Sequence, residues 1–239
     1  MQDILKSNTP AFVFDTAALK KRVAQIKEIV GETVSLCYSM KANPFFVPAM
    51  ITCVDKLEVC SPGELTICKK LGVDASRIIY SGVNKEIPDI KEAYEYGVGT
   101  FTAESVRQAD LIQQVVETAA VGEKAEVILR LNSGSQFGMS KEDLLTILQC
   151  RESKYTSLNF TGIHYFVGTQ RKRAKRKIKE LQMLLELFEE IQNKCGLKLK
   201  KLEYGPGFAV PYFEDDDFED TCVMFDKIKV LPKKELRQF

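Results

Sequence analysis

The sequence predicts an α/β protein built on a parallel sheet, a TIM-type (β/α)8 barrel. Three observations support this. Short apolar runs begin near Val34, Leu57, Arg77, Gly99, Ala125, Phe160 and Lys201, about 20 to 40 residues apart, with an amphipathic stretch in each interval. That alternation is the pattern of parallel strands joined by crossover helices. The first run ends Tyr38-Ser39-Met40-Lys41-Ala42-Asn43-Pro44. It lacks the glycine-rich turn that often follows the first strand of a nucleotide-binding doubly wound sheet, so the barrel is preferred over that alternative. Third, side chains within the runs sort by parity into an apolar and a distinctive face.

Taken in order, residues 11–15 form a short apolar run expected to be an N-terminal strand. In the run 34–41, Val34, Leu36, Tyr38 and Met40 share one face, and Ser35, Cys37, Ser39 and Lys41 share the other. If the apolar face meets the helices, Lys41 enters the barrel at the C-terminal ends of the strands, where active-site groups of such barrels lie. The fifth strand sets Arg130 opposite Val127, Leu129 and Leu131, and the sixth sets His164 and Phe166 opposite Ile163, Tyr165 and Val167. Three strands thus aim distinctive side chains at one mouth. A buried lysine or arginine is costly unless paired, which implies an anionic partner. The next helix is the clearest, with Ile178, Leu181, Leu184, Leu185, Phe188 and Ile191 at helical spacing among charged neighbours. No Pro/Gly/Ser linker divides the chain, so residues 1–239 read as one domain, with 214–239 as a divergent tail.

Composition narrows the function. The 239 residues suffice for a full core without disulfide or metal staples. Lys plus Arg is 34 against 33 for Asp plus Glu, which argues against a protein devoted to nucleic acid or an anionic membrane. A single histidine, His164, excludes multi-histidine metal sites, and the other residues suggest no metal. The seven cysteines are scattered and contain no C-x-x-C pair, as expected of reduced cysteines in a cytoplasmic protein. The N-terminus shows no apolar signal-peptide core, and no apolar run approaches the roughly 18 residues of a membrane span. The run 171–179 holds seven basic residues in nine and opens the amphipathic helix, so a solvated face is favoured over a nucleic-acid patch. The acidic run 214–220 lacks the spacing of a calcium loop.

Six motifs follow in a fixed order: Tyr38-Ser39-Met40-Lys41-Ala42-Asn43, Cys60-Ser61-Pro62-Gly63-Glu64-Leu65, Ile79-Tyr80-Ser81-Gly82-Val83-Asn84-Lys85, Phe137-Gly138-Met139, Gly162-Ile163-His164-Tyr165-Phe166-Val167-Gly168-Thr169-Gln170 and Leu202-Glu203-Tyr204-Gly205-Pro206-Gly207-Phe208. Together they resemble the fold-type III pyridoxal-phosphate (PLP) decarboxylases, the diaminopimelate and ornithine decarboxylase family, over residues 9–218. The resemblance implies an alanine-racemase-like barrel, PLP as cofactor, a small amino-acid substrate and a homodimer in the full-length family. It makes Lys41 the imine-forming lysine. Glu58 falls where the family has an acidic residue near the cofactor, Arg130 matches the strand-five arginine, and His164 the histidine motif. Gly205 and Gly207 are implied to receive the phosphate on backbone N–H groups. Arg130 stands open between a barrel-core ion pair and a ligand contact.

Departures from the family pattern matter equally. Phe166 takes the place of a second histidine that stacks on the cofactor; it can stack but cannot titrate. Pro206 removes one N–H donor from the glycine loop. The loop 132–136 is compact and lacks an arginine of the ornithine branch. The form Phe166-Val167-Gly168-Thr169-Gln170 is similar to a divergent biosynthetic subgroup, some of which act on carrier-tethered amino acids. The family's eighth strand, with its phosphate-binding arginine, and its C-terminal β-domain are missing from the motifs; residues 228–231 are a candidate surrogate strand. Residues 11–15 resemble a strand that pairs with that β-domain. The chain therefore reads as a PLP-dependent amino-acid decarboxylase, truncated or divergent at its end, with a non-catalytic single-barrel PLP-binding protein or inactive paralogue as the alternative.

Overall fold

The computed structural model describes residues 10–119, 122–213, 215–216 and 223–224. Helices and strands alternate: α1 (Thr16–Val30), β1 (Cys37–Ser39), α2 (Val47–Met50), β2 (Lys56–Val59), α3 (Pro62–Lys70), β3 (Ile78–Tyr80), α4 (Ile87–Tyr96), β4 (Thr100–Ala103), α5 (Val106–Thr118), β5 (Ala125–Arg130), α6 (Lys141–Gln149), β6 (Leu158–Phe166), α7 (Ala174–Cys195) and β7 (Lys201–Gly205). All seven strands are parallel and lie in sequence order. The sheet curls far enough that Glu203 of β7 interacts electrostatically with Glu58 of β2. Among the described residues it has seven strands. The surrogate eighth strand at 228–231 lies outside them.

The predicted parity is the organising feature. Outward side chains such as Leu57, Val59, Ile78, Tyr80, Phe101, Val127, Leu129 and Ile163 are buried under the helices in one continuous core. Their lateral neighbours in a parallel sheet point the same way, so the alternate residues form an inner face. That face is polar: Ser39 lies beside Glu58, Arg130 beside His164, and His164 beside Glu203. Ser81 and Thr102 share a hydrogen bond of 2.9 Å across it.

Local chemistry starts and stops the helices. Ser61, Ser105 and Ser140 accept hydrogen bonds from the backbone N–H groups of Glu64, Gln108 and Asp143 at the first turns of α3, α5 and α6. Each such cap stabilises its helix by about 1 kcal/mol. α7 ends at Gly196, whose φ of 62° is left-handed. It buries Leu181, Leu184, Leu187, Phe188 and Ile191.

Two expectations are revised. The first strand is shorter than residues 34–41: after Ser39 the chain enters a 3-10 turn, Met40–Ala42, and Asn43 then caps the turn Pro44–Phe46 by accepting from the Phe45 N–H. Residues 11–15 carry no strand; Phe12 and Val13 are exposed, and Phe14 packs edge-on against Phe46. An isolated extended segment with no neighbouring strand has no ladder of hydrogen bonds to define it.

Truncating a fully buried outward contact tests this packing. Leu184→Ala should destabilise the fold by about 2–5 kcal/mol in urea unfolding. Glu186→Ala, on the exposed side of the same helix, should change it by less than about 0.5 kcal/mol.

Candidate active site

Lys41 sits in the 3-10 turn just past β1, at the C-terminal mouth of the sheet. Its Nζ lies 3.7 Å from Glu58 Oε2 and 5.7 Å from the centre of the Phe166 ring. The expected burial is not seen: half of the Lys41 side chain, 51%, is exposed, because the residue has left the strand and sits on the turn. Glu58 is buried on β2. Burial opposes its ionisation, yet the Lys41 ammonium and the nearby Ser39 and Ser81 side chains hold its carboxyl below the usual value.

The inner wall beyond this pair is made of β4 to β7. Arg130 is nearly buried and donates from Nη1 to Glu104 Oε2 at 2.6 Å, so the structure gives it a barrel-core ion pair. Its guanidinium also lies 5.1 Å from the Phe137 ring centre. His164, its lateral neighbour, is buried with Nδ1 unpartnered. Burial pushes the imidazole down to about 4, against the pull of Glu58 and with the help of Arg130, Lys41 and Lys85, so the ring is neutral at pH 7. Glu203 follows on β7. Burial and the adjacent charge of Glu58 push its carboxyl up to about 8, against Lys41 and Arg130.

Sequence reasoning did not single out Glu104, Glu203 or Lys85. Glu203 and Lys85 stand inside quoted motifs, and strand parity would have found Glu203, two residues before Gly205. Glu104 lies two positions beyond Thr102, on the same inward parity. Of the two lysines in the quoted motifs, Lys85 is the buried one: its Nζ donates to the Gly82 carbonyl and lies 5.9 Å from the Tyr80 ring centre. Burial lowers its pKa to about 8, partly offset by Glu104.

The glycine loop is shaped first by the chain's own packing. A Cβ on Gly205 would lie 2.5 Å from the Phe166 ring, so the glycine is what allows the ring to seat there. Gly207 has φ 57°, and a Cβ on it would come within 1.7 Å of the Gly168 carbonyl. The structure thus brings Lys41, Glu58, Phe166 and His164 to one mouth, with Gly205 behind the ring and Arg130 committed to Glu104.

The basic run 171–179 divides. Arg171 and Lys177 turn inward, with Lys177 fully buried, while Lys172, Arg173, Lys175, Arg176 and Lys179 are exposed. No helix of the described residues is long and apolar enough to cross a membrane.

The family model of the pyridoxal-dependent decarboxylases, pyridoxal binding domain, matches residues 16–234. The chain is 25% identical to a diaminopimelate decarboxylase of Aquifex aeolicus, over 87% of this chain and 52% of that protein. It is 28% identical to an L-glutamyl-[BtrI acyl-carrier protein] decarboxylase of Niallia circulans, again over 87% and 52%. The fold superposes with a TM-score of 0.81 and 25% identity on a lysine decarboxylase of Selenomonas ruminantium, over 100% of this chain and 60% of that one. The chain spans about half the length of the curated relatives it matches.

The raised Glu203 carboxyl makes stability depend on pH. A carboxyl at 4.5 when unfolded and about 8 when folded leaves the folded state holding an extra proton between those values. Folding therefore loses stability as pH rises through that window. Glu203→Gln should flatten this decline in thermal unfolding curves recorded between pH 5 and pH 8; an unchanged slope would show that Glu203 ionises normally.

Proposed function

The chain belongs to the pyridoxal-dependent decarboxylase family, and we propose that it forms the cofactor-binding half of an amino-acid decarboxylase in which Lys41 takes the cofactor. The observation that carries this reading is the placement of the Lys41 Nζ, at the strand mouth, 3.7 Å from a buried carboxylate and facing an aromatic ring. The residues suit pyridoxal phosphate. His164 Nδ1 and Glu203 Oε2 are buried polar atoms without protein partners, and both belong to the inner wall beside Lys41. The cofactor, when bound, supplies an aldehyde for an amine and a ring that takes up the electrons released with CO2.

The rest of the chemistry is the chain's own. An amine attacks only after losing a proton, and Glu58 is the group placed to take one from Nζ. Phe166 offers a flat apolar face to an aromatic ring, without the titration that a histidine there would add. His164, neutral, can accept or donate at Nδ1 without bringing a charge into the barrel. Arg130 acts through Glu104, holding the wall between them. Gly205 and Gly207 are the positions proposed to admit the phosphate.

The relatives act on small amino acids, and one on an acyl-carrier protein substrate. We assign this protein an amino-acid substrate, with a carrier-tethered amino acid as the finer reading, supported by the Phe166-Val167-Gly168-Thr169-Gln170 form. A homodimer and a cytoplasmic location complete the proposal.

Titrating the purified chain with pyridoxal phosphate should raise the visible absorbance band of an imine, and Lys41→Ala should abolish it. A band that survives the substitution would overturn the assignment. Phe166→Ala should weaken cofactor binding by roughly 3- to 10-fold, the value of an aromatic stacking contact. CO2 release from a panel of amino acids separates a decarboxylase from a barrel that only carries the cofactor.

A further inference from the structure

The end of β6 outruns the strand beside it. β5 pairs with β6 as far as Arg130 beside His164, and one further bond of 3.0 Å joins the Leu131 N–H to the His164 carbonyl. Phe166, two residues on, closes β6, and its ring faces Lys41. A parallel ladder repeats its bonds evenly, at every second residue of each strand, so the following rung would run from the Ser133 N–H to the Phe166 carbonyl. The Ser133 side chain takes that rung: its hydroxyl donates to the Phe166 carbonyl at 2.8 Å.

The loop that presents Ser133 is fixed to the end of β5. After Leu131 the chain turns back, the Asn132 N–H donating to the Met139 carbonyl at 2.8 Å and the Met139 N–H to the Arg130 carbonyl at 2.9 Å. Asn132 knots the loop from inside. Its Nδ2 donates to the carbonyls of Ser135 and Phe137 at 2.7 and 2.8 Å, and its Oδ1 accepts from the Gly134 N–H at 2.8 Å. Gly138 permits the return, with φ 80° and no room for a Cβ, which would lie 2.9 Å from the Asn132 nitrogen. On the other side Phe166 pairs with Gly205 of β7, and its ring rests against that glycine. The Phe166 backbone is thus fastened by the ladder toward β7 and by the Ser133 hydroxyl toward β5. Where the ring stands relative to Lys41 depends on both.

We propose that Ser133 is a positioning residue that holds Phe166 in the place where it stacks on the cofactor. This rests on the reading of Lys41 as the lysine that takes the cofactor and of Phe166 as its stacking face. Ser133 acts through the Phe166 carbonyl, to which its hydroxyl proton is given.

A double-mutant cycle tests this. Ser133→Ala, Phe166→Ala and the double variant are titrated with pyridoxal phosphate, using the Lys41-dependent absorbance band, and their folding is checked by circular dichroism and thermal unfolding. Ser133→Ala should weaken binding by roughly 2- to 5-fold, the worth of a neutral hydrogen bond. In the Phe166→Ala background the same substitution should change binding by less than about 1.5-fold, because the ring it positions is gone. Ser133→Thr, which keeps the hydroxyl, should bind as the unsubstituted chain does, and Ser133→Val, of the same shape without it, should bind as Ser133→Ala does. No loss in Ser133→Ala would overturn the proposal. So would a loss of the same size in the Phe166→Ala background, which is the result expected if Ser133 touched the cofactor itself or only supported the fold. Should Ser133→Ala fail to fold, the comparison of Ser133→Thr with Ser133→Val in the two backgrounds decides. The underlying reading fails separately: it is lost if the unsubstituted chain shows no Lys41-dependent band.

Discussion

Ionisable groups gathered inside a curled sheet must be neutralised where they stand, and the arrangement of the whole inner wall follows from that requirement. Removing an ion from water costs several kcal/mol even after relaxation, so each charge needs a partner or must lose its charge. Both solutions occur here. Lys41 faces Glu58, and Arg130 is bonded to Glu104. The two groups left over are pushed to their neutral forms, His164 by a lowered pKa and Glu203 by a raised one. The neutrality of these two is thus a consequence of the pairs around them. It leaves polar atoms in the wall with hydrogen-bonding capacity to spare.

A polar interior is affordable only because the hydrophobic work is done on the other face of the same strands. Leu57, Val59, Ile78, Phe101, Val127 and Ile163 bury the apolar surface against the helices, so the inner positions are released from packing duty. The mouth is built differently from the wall. There the chain leaves the strands, and the fit depends on close contacts between loops: Phe166 on Gly205, and Gly207 under the Gly168 carbonyl. The Arg171–Glu180 pair carries this arrangement out to α7, so the loop that follows β7 is anchored on the helix that precedes it.

Much of this was legible in the sequence. The alternation of runs located all seven strands within a few residues, because burial on one face imposes a period of two whatever the partner strands are. The same parity placed Arg130 and His164 on the inner face correctly. It failed for the exposure of Lys41, because parity describes a strand and the strand ends at Ser39. Lys85, in a loop, has no periodicity to announce it; its burial arises from the packing of Gly82 and Gln108 around it. The run of basic residues at 171–179 read as solvated by composition, and most of it is exposed. Arg171 and Lys177 turn inward because the loop after β7 presents carbonyls and Phe208 to them, from about thirty residues further along the chain.

By itself the sequence determined the class of fold, the order of the strands, which face of each is apolar, and the family to which the motifs belong. These are local properties: each depends on residues within one strand or one turn of helix, and a period or a motif records them. The tertiary structure alone decided which charges pair, which groups become neutral, and what holds the glycine loop. Those outcomes depend on distances between residues far apart in the chain and on the water excluded between them, and neither quantity is written in any local pattern.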